Sequence, residues 1–317
     1  MKILDKTQIL ARYDAERATA AIRESLIAYS AGRAQLPPVQ HFVFAADNGD
    51  GCVKSGYLTG DDLFAVKVAC GFYDNPARGL PSNQGLVMAF NAHTGEPMAL
   101  LQDEGWLTSL RTALAGRLAA EVLAPTRIDA IGIVGTGMQA RLQLQALEAV
   151  TSCREVWLWG RHAASLSAMT HELADLGYRV HPTRDAEPLA RQCQLIVTCT
   201  PSRAPILSAD WIQPGTHITA VGADAEGKQE LETALTARAD RVVADAVAQC
   251  AAYGEISHAL KAGLLAESSL SELGKVLAGE QPGRQHADEI TLADLTGLAV
   301  QDVAIAKSIL VATGQTD

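Results

Sequence analysis

"IGIVGTGMQA", residues 131–140, decides how the rest of the chain is read. An apolar run closes at Val134, glycines stand at Gly135 and Gly137, and Ala140 completes a Gly-x-Gly-x-x-Ala pattern. The pattern opens "MQARLQLQALEAV", which has helical spacing. In a strand, turn and helix the first glycine allows the tight turn and the second lets the backbone approach a pyrophosphate. The small third residue lets the helix pack closely on its strand. The positive helix N-terminus then faces the phosphate charge. The pattern is common by chance and gains weight only from this context, which predicts a dinucleotide site at Gly135, Thr136, Gly137, Met138 and Gln139.

Downstream, strand-like and helix-like stretches alternate. "EVWLWG" is followed by the helical "AASLSAMTHELADLG", and "QLIVTCT", "THITAVG" and "ADRVVAD" read as further strands. This rhythm predicts an α/β fold, a doubly wound parallel sheet with helices on both faces. Upstream the rhythm differs. Residues 5–31 keep three- and four-residue apolar spacing, with Asp5 placed to cap a single helix. Residues 41–101 are short apolar or alternating runs separated by turn signals such as "DNGDG" and "HTGE", the pattern of a mostly antiparallel sheet. A helix is predicted over 108–123, and "APTR" at 124–127 marks the boundary.

The bulk properties exclude several classes. Of 317 residues 48% are hydrophobic and 20% charged, the balance of a globular chain of about two domains. A formal net charge of −10 argues against nucleic acid or an anionic membrane as partner. The charged N-terminus lacks the apolar core of a signal peptide, and no long uninterrupted apolar run suggests a membrane span. Six scattered cysteines without a Cys-x-x-Cys pair fit reduced thiols in the cytoplasm, and the eight histidines show no zinc spacing.

Two further stretches carry chemistry. The predicted second strand ends in "WGRH", where an NAD site usually places an acid for the ribose 2′-hydroxyl. Arg161 there suits a 2′-phosphate and favours NADP(H) over NAD(H), although an exposed arginine after a strand is also ordinary. "VGADAEGKQE", 221–230, sets Asp224 and Lys228 four apart in a glycine-broken loop after a buried strand. By itself this reads more readily as a solvated turn than as a catalytic pair.

In order along the chain stand "AVKVA" around Lys67, "GLPSNQG" at 79–85, "LTSLRTALAG" around Arg111, "GIVGTGMQA", "VTCTPS" at 197–202, "AVGADAEGKQEL" at 220–231 and "GLAVQD" at 297–302. Together they resemble the ornithine cyclodeaminase/mu-crystallin family over nearly the whole chain. The resemblance implies a Rossmann dinucleotide domain, here 125–294. It also implies a second α+β domain for substrate binding and dimerisation, here 1–124 plus 295–317, and a homodimer. It implies NAD(P)(H) as cofactor and an α-amino acid or cyclic imine as substrate, with hydride transfer at Cα. Lys67 matches the family's substrate-side lysine and Arg111 its carboxylate-binding arginine. Asp224 and Lys228 match the acid and lysine of the cyclodeaminase branch. Asp224 and Lys67 are then the catalytic candidates. Ser82 and Lys228 join Arg111 and Lys67 at the substrate, and Arg111, Thr112, Thr200 and Val221 join the glycine loop and Arg161 at the cofactor.

The chemistry of these residues agrees. A zwitterionic amino acid needs cations for its carboxylate, which Arg111 grips bidentately and Lys67 as a point charge. Oxidising the Cα–N bond needs a base for the ammonium proton, a role for Asp224. The reading that follows is an ornithine cyclodeaminase-like ammonia lyase. It converts L-ornithine or a similar amino acid to a proline-type imino acid, with hydride taken and returned within one turnover. The alternative is an NADPH-dependent reductase of cyclic ketimines such as 1-pyrroline-2-carboxylate, or an amino-acid dehydrogenase. A non-catalytic binder of NADP(H) or a small ligand is the reading of another class. Three departures from the family pattern lean toward the reductase: Gln40 where an arginine is common, Leu295 where the cyclodeaminases carry serine, and Arg161 at the end of the second strand, unlike the NAD-binding cyclodeaminase.

Overall fold

The computed structural model describes residues 1–311, within which the chain divides into two compact units. One is Thr112–Gly297, and the other is Met1–Arg111 with the chain from Leu298 onward. The first division falls inside helix Trp106–Leu123 rather than at 124/125. The Ala- and Leu-rich composition is uniform along that helix, so no shift marks the point. Its later residue Ala120 shares a core with Ile131 and Ile133. The second division falls at 297/298 rather than at 295, because the backbone N–H of Leu295 donates to Ala220 and that of Gly297 to Asp245. Residues 312–317 of the predicted range 295–317 lie outside the described residues.

In Thr112–Gly297 an eight-stranded sheet is parallel throughout. Its order is Arg179–Thr183, Glu155–Trp159, Ile131–Val134, Leu195–Thr198, His217–Ala220, Thr291–Asp294, Arg241–Ala244, Ser271–Glu272. Both faces are covered. Ile131 and Ile133 pack into one core with Leu144 and Leu173, while Val134 packs into another with Leu189 and Leu235. Full burial on both faces explains why the central strands Ile131–Val134 and Leu195–Thr198 read as continuous apolar runs. The strand order reverses between Ile131–Val134 and Leu195–Thr198, and in such sheets ligands bind beyond the carboxyl ends at that point.

In the other unit, Gly49–Leu58, Leu63–Phe72, Asn83–Asn91 and Pro97–Gln102 form an antiparallel meander. Lys2–Asp5 extends one edge as a parallel strand, and Gln40–Phe44 and Ala34–Gln35 pair with Gly49–Leu58 at the other. Helix Ala299–Val311 packs on this sheet and on helix Ala15–Ser30. A Cβ at Gly56 would stand 3.2 Å from the Ala299 backbone, so glycine lets the helix approach the strand. The single predicted helix over 5–31 is instead two, Lys6–Arg12 and Ala15–Ser30. Asp5 caps the first in a capping box with Gln8. Asp14 then restarts the chain by accepting from the Arg17 N–H at 2.7 Å, a second cap inside an unbroken apolar pattern. Among the described residues no helix is long and apolar enough to cross a membrane.

Candidate active site

The glycine loop takes the form its sequence predicts. Gly135 has φ +134°, and a side chain there would press on the Cys199 sulfur at 2.8 Å and the Cys199 carbonyl at 3.1 Å. The turn is thus closed against the loop that follows the neighbouring strand. Gly137 is the N-cap of helix Met138–Leu147, makes no side-chain capping bond and has open space where a Cβ would stand. Uncapped N–H groups beside open space fit a pyrophosphate. Ala140 is fully buried, and Gly160 at the end of the next strand leaves room for the Thr136 methyl. Gln139 is steadied by the amide of buried Gln143, which also donates to the Thr112 carbonyl. Arg161 and His162 are exposed at the end of Glu155–Trp159, with Arg161 Nε 3.2 Å from His162 Nε2 and no carboxylate at 160–162. These residues fit a nicotinamide dinucleotide, and the last pair fits a 2′-phosphate.

Two more loops meet at the carboxyl ends of the same sheet, joined by an acid that sequence reasoning missed. Glu230 is fully buried and accepts from the Thr200 N–H at 2.6 Å and the Gly222 N–H at 2.9 Å. It ties the loop after Leu195–Thr198 to the one after His217–Ala220, which carries Val221. Burial pushes its carboxyl up to about 7, against the pull of those N–H donors. Gly222 has to be glycine, since a Cβ would stand 2.2 Å from the Thr200 oxygen. Farther along the same loop the Asp224 side chain is half exposed, and its Oδ1 lies 2.7 Å from Nζ of the buried Lys228.

The other unit gathers two of the predicted substrate residues, Lys67 and Arg111, around a second missed acid. Lys67, in strand Leu63–Phe72, is only 2% exposed. Its Nζ lies 2.9 Å from Asp302 Oδ1 and 2.8 Å from Oδ2. Arg111 Nε lies 3.1 Å from the same Oδ1, and Arg111 Nη1 donates to Gln301 Oε1 at 3.2 Å. Burial lowers the Lys67 ammonium to about 8, and Arg111 and Lys54 push it the same way while Asp302 opposes them. Asp302 stays below the usual carboxylate range despite burial because Lys67 and Arg111 flank it. The buried Gln301 amide nitrogen has no hydrogen-bond partner among the described residues, which leaves a donor beside the two cations. Ser82 lies in the turn before Asn83–Asn91, where its carbonyl accepts from the Phe72 N–H at 2.7 Å, and among the described residues no hydrogen bond joins it to this cluster.

Thus Lys67 and Arg111 come together in one unit, and Asp224 and Lys228 in the other. Asp302 and Gln301, both within "GLAVQD", are candidate site residues that the sequence alone does not single out. The available signal was an acid in the apolar first turns of helix Ala299–Val311, between Val300 and Val303. For Glu230 the signal was an acid in a short segment with an apolar neighbour, in what proves to be strand Gln229–Leu231.

A model described as the ornithine cyclodeaminase/mu-crystallin family matches residues 2–313, and the chain belongs to that family. It is 42% identical over 309 residues to a protein of Rhizobium meliloti provisionally named a dehydrogenase, covering 96% of this chain and 94% of that one. Two solved structures share its fold. One is an archaeal alanine dehydrogenase dimer with bound NAD, with TM-score 0.90 and 34% identity over 98% of this chain and 95% of that one. The other is the iminosuccinate reductase of Paracoccus denitrificans in complex with NAD+, with TM-score 0.87 and 31% identity over 99% and 96%.

Proposed function

We propose that the protein is a nicotinamide-dinucleotide-dependent oxidoreductase interconverting an α-amino acid and the corresponding α-imino acid. The observation that carries this reading is the pair of buried cations, Lys67 and Arg111, sharing the one carboxylate of Asp302. Among those three groups one positive charge is in excess, and a substrate carboxylate balances it. Lys67 grips that carboxylate as a point charge. Arg111 adds its planar fork, of which the Asp302 and Gln301 contacts use two of the five N–H donors. Asp224 takes the proton of the Cα ammonium in one direction and returns it in the other, and Lys228 fixes its position. When bound, the nicotinamide exchanges hydride with the substrate Cα.

Net oxidation or reduction is placed ahead of the ammonia-lyase reaction because the two solved chains above are a dehydrogenase and a reductase. The cyclodeaminase is the second reading, favoured by Asp224 and Lys228 standing paired in the "GADAEGK" loop. NADP(H) is the preferred cofactor on the strength of Arg161. A homodimer fits the strand Gln40–Phe44, whose five residues, Phe42 and Val43 among them, are all exposed.

Arg111→Ala removes a charge-assisted pair worth on the order of 1.5–3 kcal/mol, so KM for the amino or imino acid rises roughly ten- to hundredfold. Steady-state kinetics across a panel of amino acids and imines, with dinucleotide affinity measured alongside, checks it. An unchanged KM for every active substrate would remove Arg111 from the site.

A further inference from the structure

We propose that Asp302 is a positioning residue for the substrate carboxylate: one buried anion, delivered by the last helix, that holds the Lys67 ammonium beside the Arg111 guanidinium and keeps Lys67 charged. The inference rests on the reading of Lys67 and Arg111 as the carboxylate grip, and adds what makes that grip possible.

The geometry carries it. Lys67 reaches both oxygens of Asp302, and Arg111 Nε shares Oδ1, so both cations are fixed by the same carboxylate group. All three side chains are buried, where a charge persists only with a partner. The surroundings otherwise work against a charged Lys67. Lys54 lies directly opposite in the paired strand, Arg111 adds a second positive charge from helix Trp106–Leu123, and burial removes water. Asp103, just before that helix, is also sensitive to Lys67; its Oδ2 accepts from the Leu107 N–H at 2.8 Å, and burial pushes its carboxyl up, toward the neutral form. Asp302 is the largest influence that favours the ammonium, and with it Lys67 titrates near 8. Below that pH the lysine is charged and grips a carboxylate. As pH rises through it, the grip weakens.

The test is the pH dependence of KM in Asp302→Asn against wild type with one substrate, so that the substrate's own titration cancels. The alkaline rise in KM moves to lower pH by about 1–3 units, the size of shift an adjacent opposite charge produces. A structural role alone would lower the yield of folded enzyme and leave that midpoint in place, which would overturn the proposal. Lys67→Met separates the two claims. If it leaves KM unchanged, the carboxylate-grip reading fails. If it raises KM while the Asp302→Asn midpoint stays put, the inference about Asp302 fails alone. Should Asp302→Asn fold poorly, the double variant with Lys67→Met decides. An unmatched buried cation is the source of the damage, so removing it restores part of the lost melting temperature. A double variant no more stable than Asp302→Asn would contradict the coupling.

Discussion

At Asp224 the catalytic and structural readings forecast opposite results. The residue stands half exposed on a loop, and its substitution by asparagine keeps an acceptor for Lys228 while removing the proton-transfer function. Turnover in Asp224→Asn falls by about 10²–10⁴-fold, with stability within about 1 kcal/mol of wild type, as for most surface changes. Melting temperature and turnover measured on the same preparation check it. A less stable but fully active variant would reduce Asp224 to a turn residue. At this scale sequence reasoning reached Lys67 and Arg111 only through the family motifs. A lysine in an alternating strand ordinarily faces water, and nothing local announces that Lys67 is buried. Asp302 was out of reach because its partners lie 235 and 191 residues away in the chain. Its meeting with them is one that only folding brings about.

Among the elements, the strand, turn and helix around Gly135 were the most legible, because Gly135 answers a steric demand at its own position and Gly137 leaves open space at the helix N-terminus. The short strands were the least legible. Thr291–Asp294 is four buried residues inserted between His217–Ala220 and Arg241–Ala244, and Arg179–Thr183 is a half-exposed edge. Neither has the length or the alternation that separates a strand from a loop in sequence. The end of Glu155–Trp159 carries a prediction of its own. Arg161 is exposed with no acid beside it at 160–162, so Arg161→Asp places a negative charge where a 2′-phosphate would lie. The ratio of kcat/KM for NADPH to that for NADH drops by about tenfold or more, the equivalent of losing one charge-assisted contact. A wild type that already uses NADH at least as well as NADPH would refute the role given to "WGRH".

For the whole molecule, the family match runs over residues 2–313, and the candidate site residues fall in two compact units. One unit carries the Lys67–Asp302–Arg111 cluster, and the other the glycine loop and the Asp224–Lys228 pair. Composition and charge foretold a two-domain globular protein. They could not foretell the net reaction, since reductase and cyclodeaminase share the hydride step at Cα and diverge only in what leaves the site. The central claim is net redox chemistry at that carbon. Its most direct test is the stoichiometry of turnover with the imine that gives the highest activity and, separately, with L-ornithine. Net redox chemistry requires one NAD(P)H consumed per amino acid formed from the imine, and no ammonia released from ornithine in the absence of net cofactor oxidation or reduction. Release of ammonia and formation of proline from ornithine, with the cofactor unchanged at the end, would contradict it and establish the cyclodeaminase.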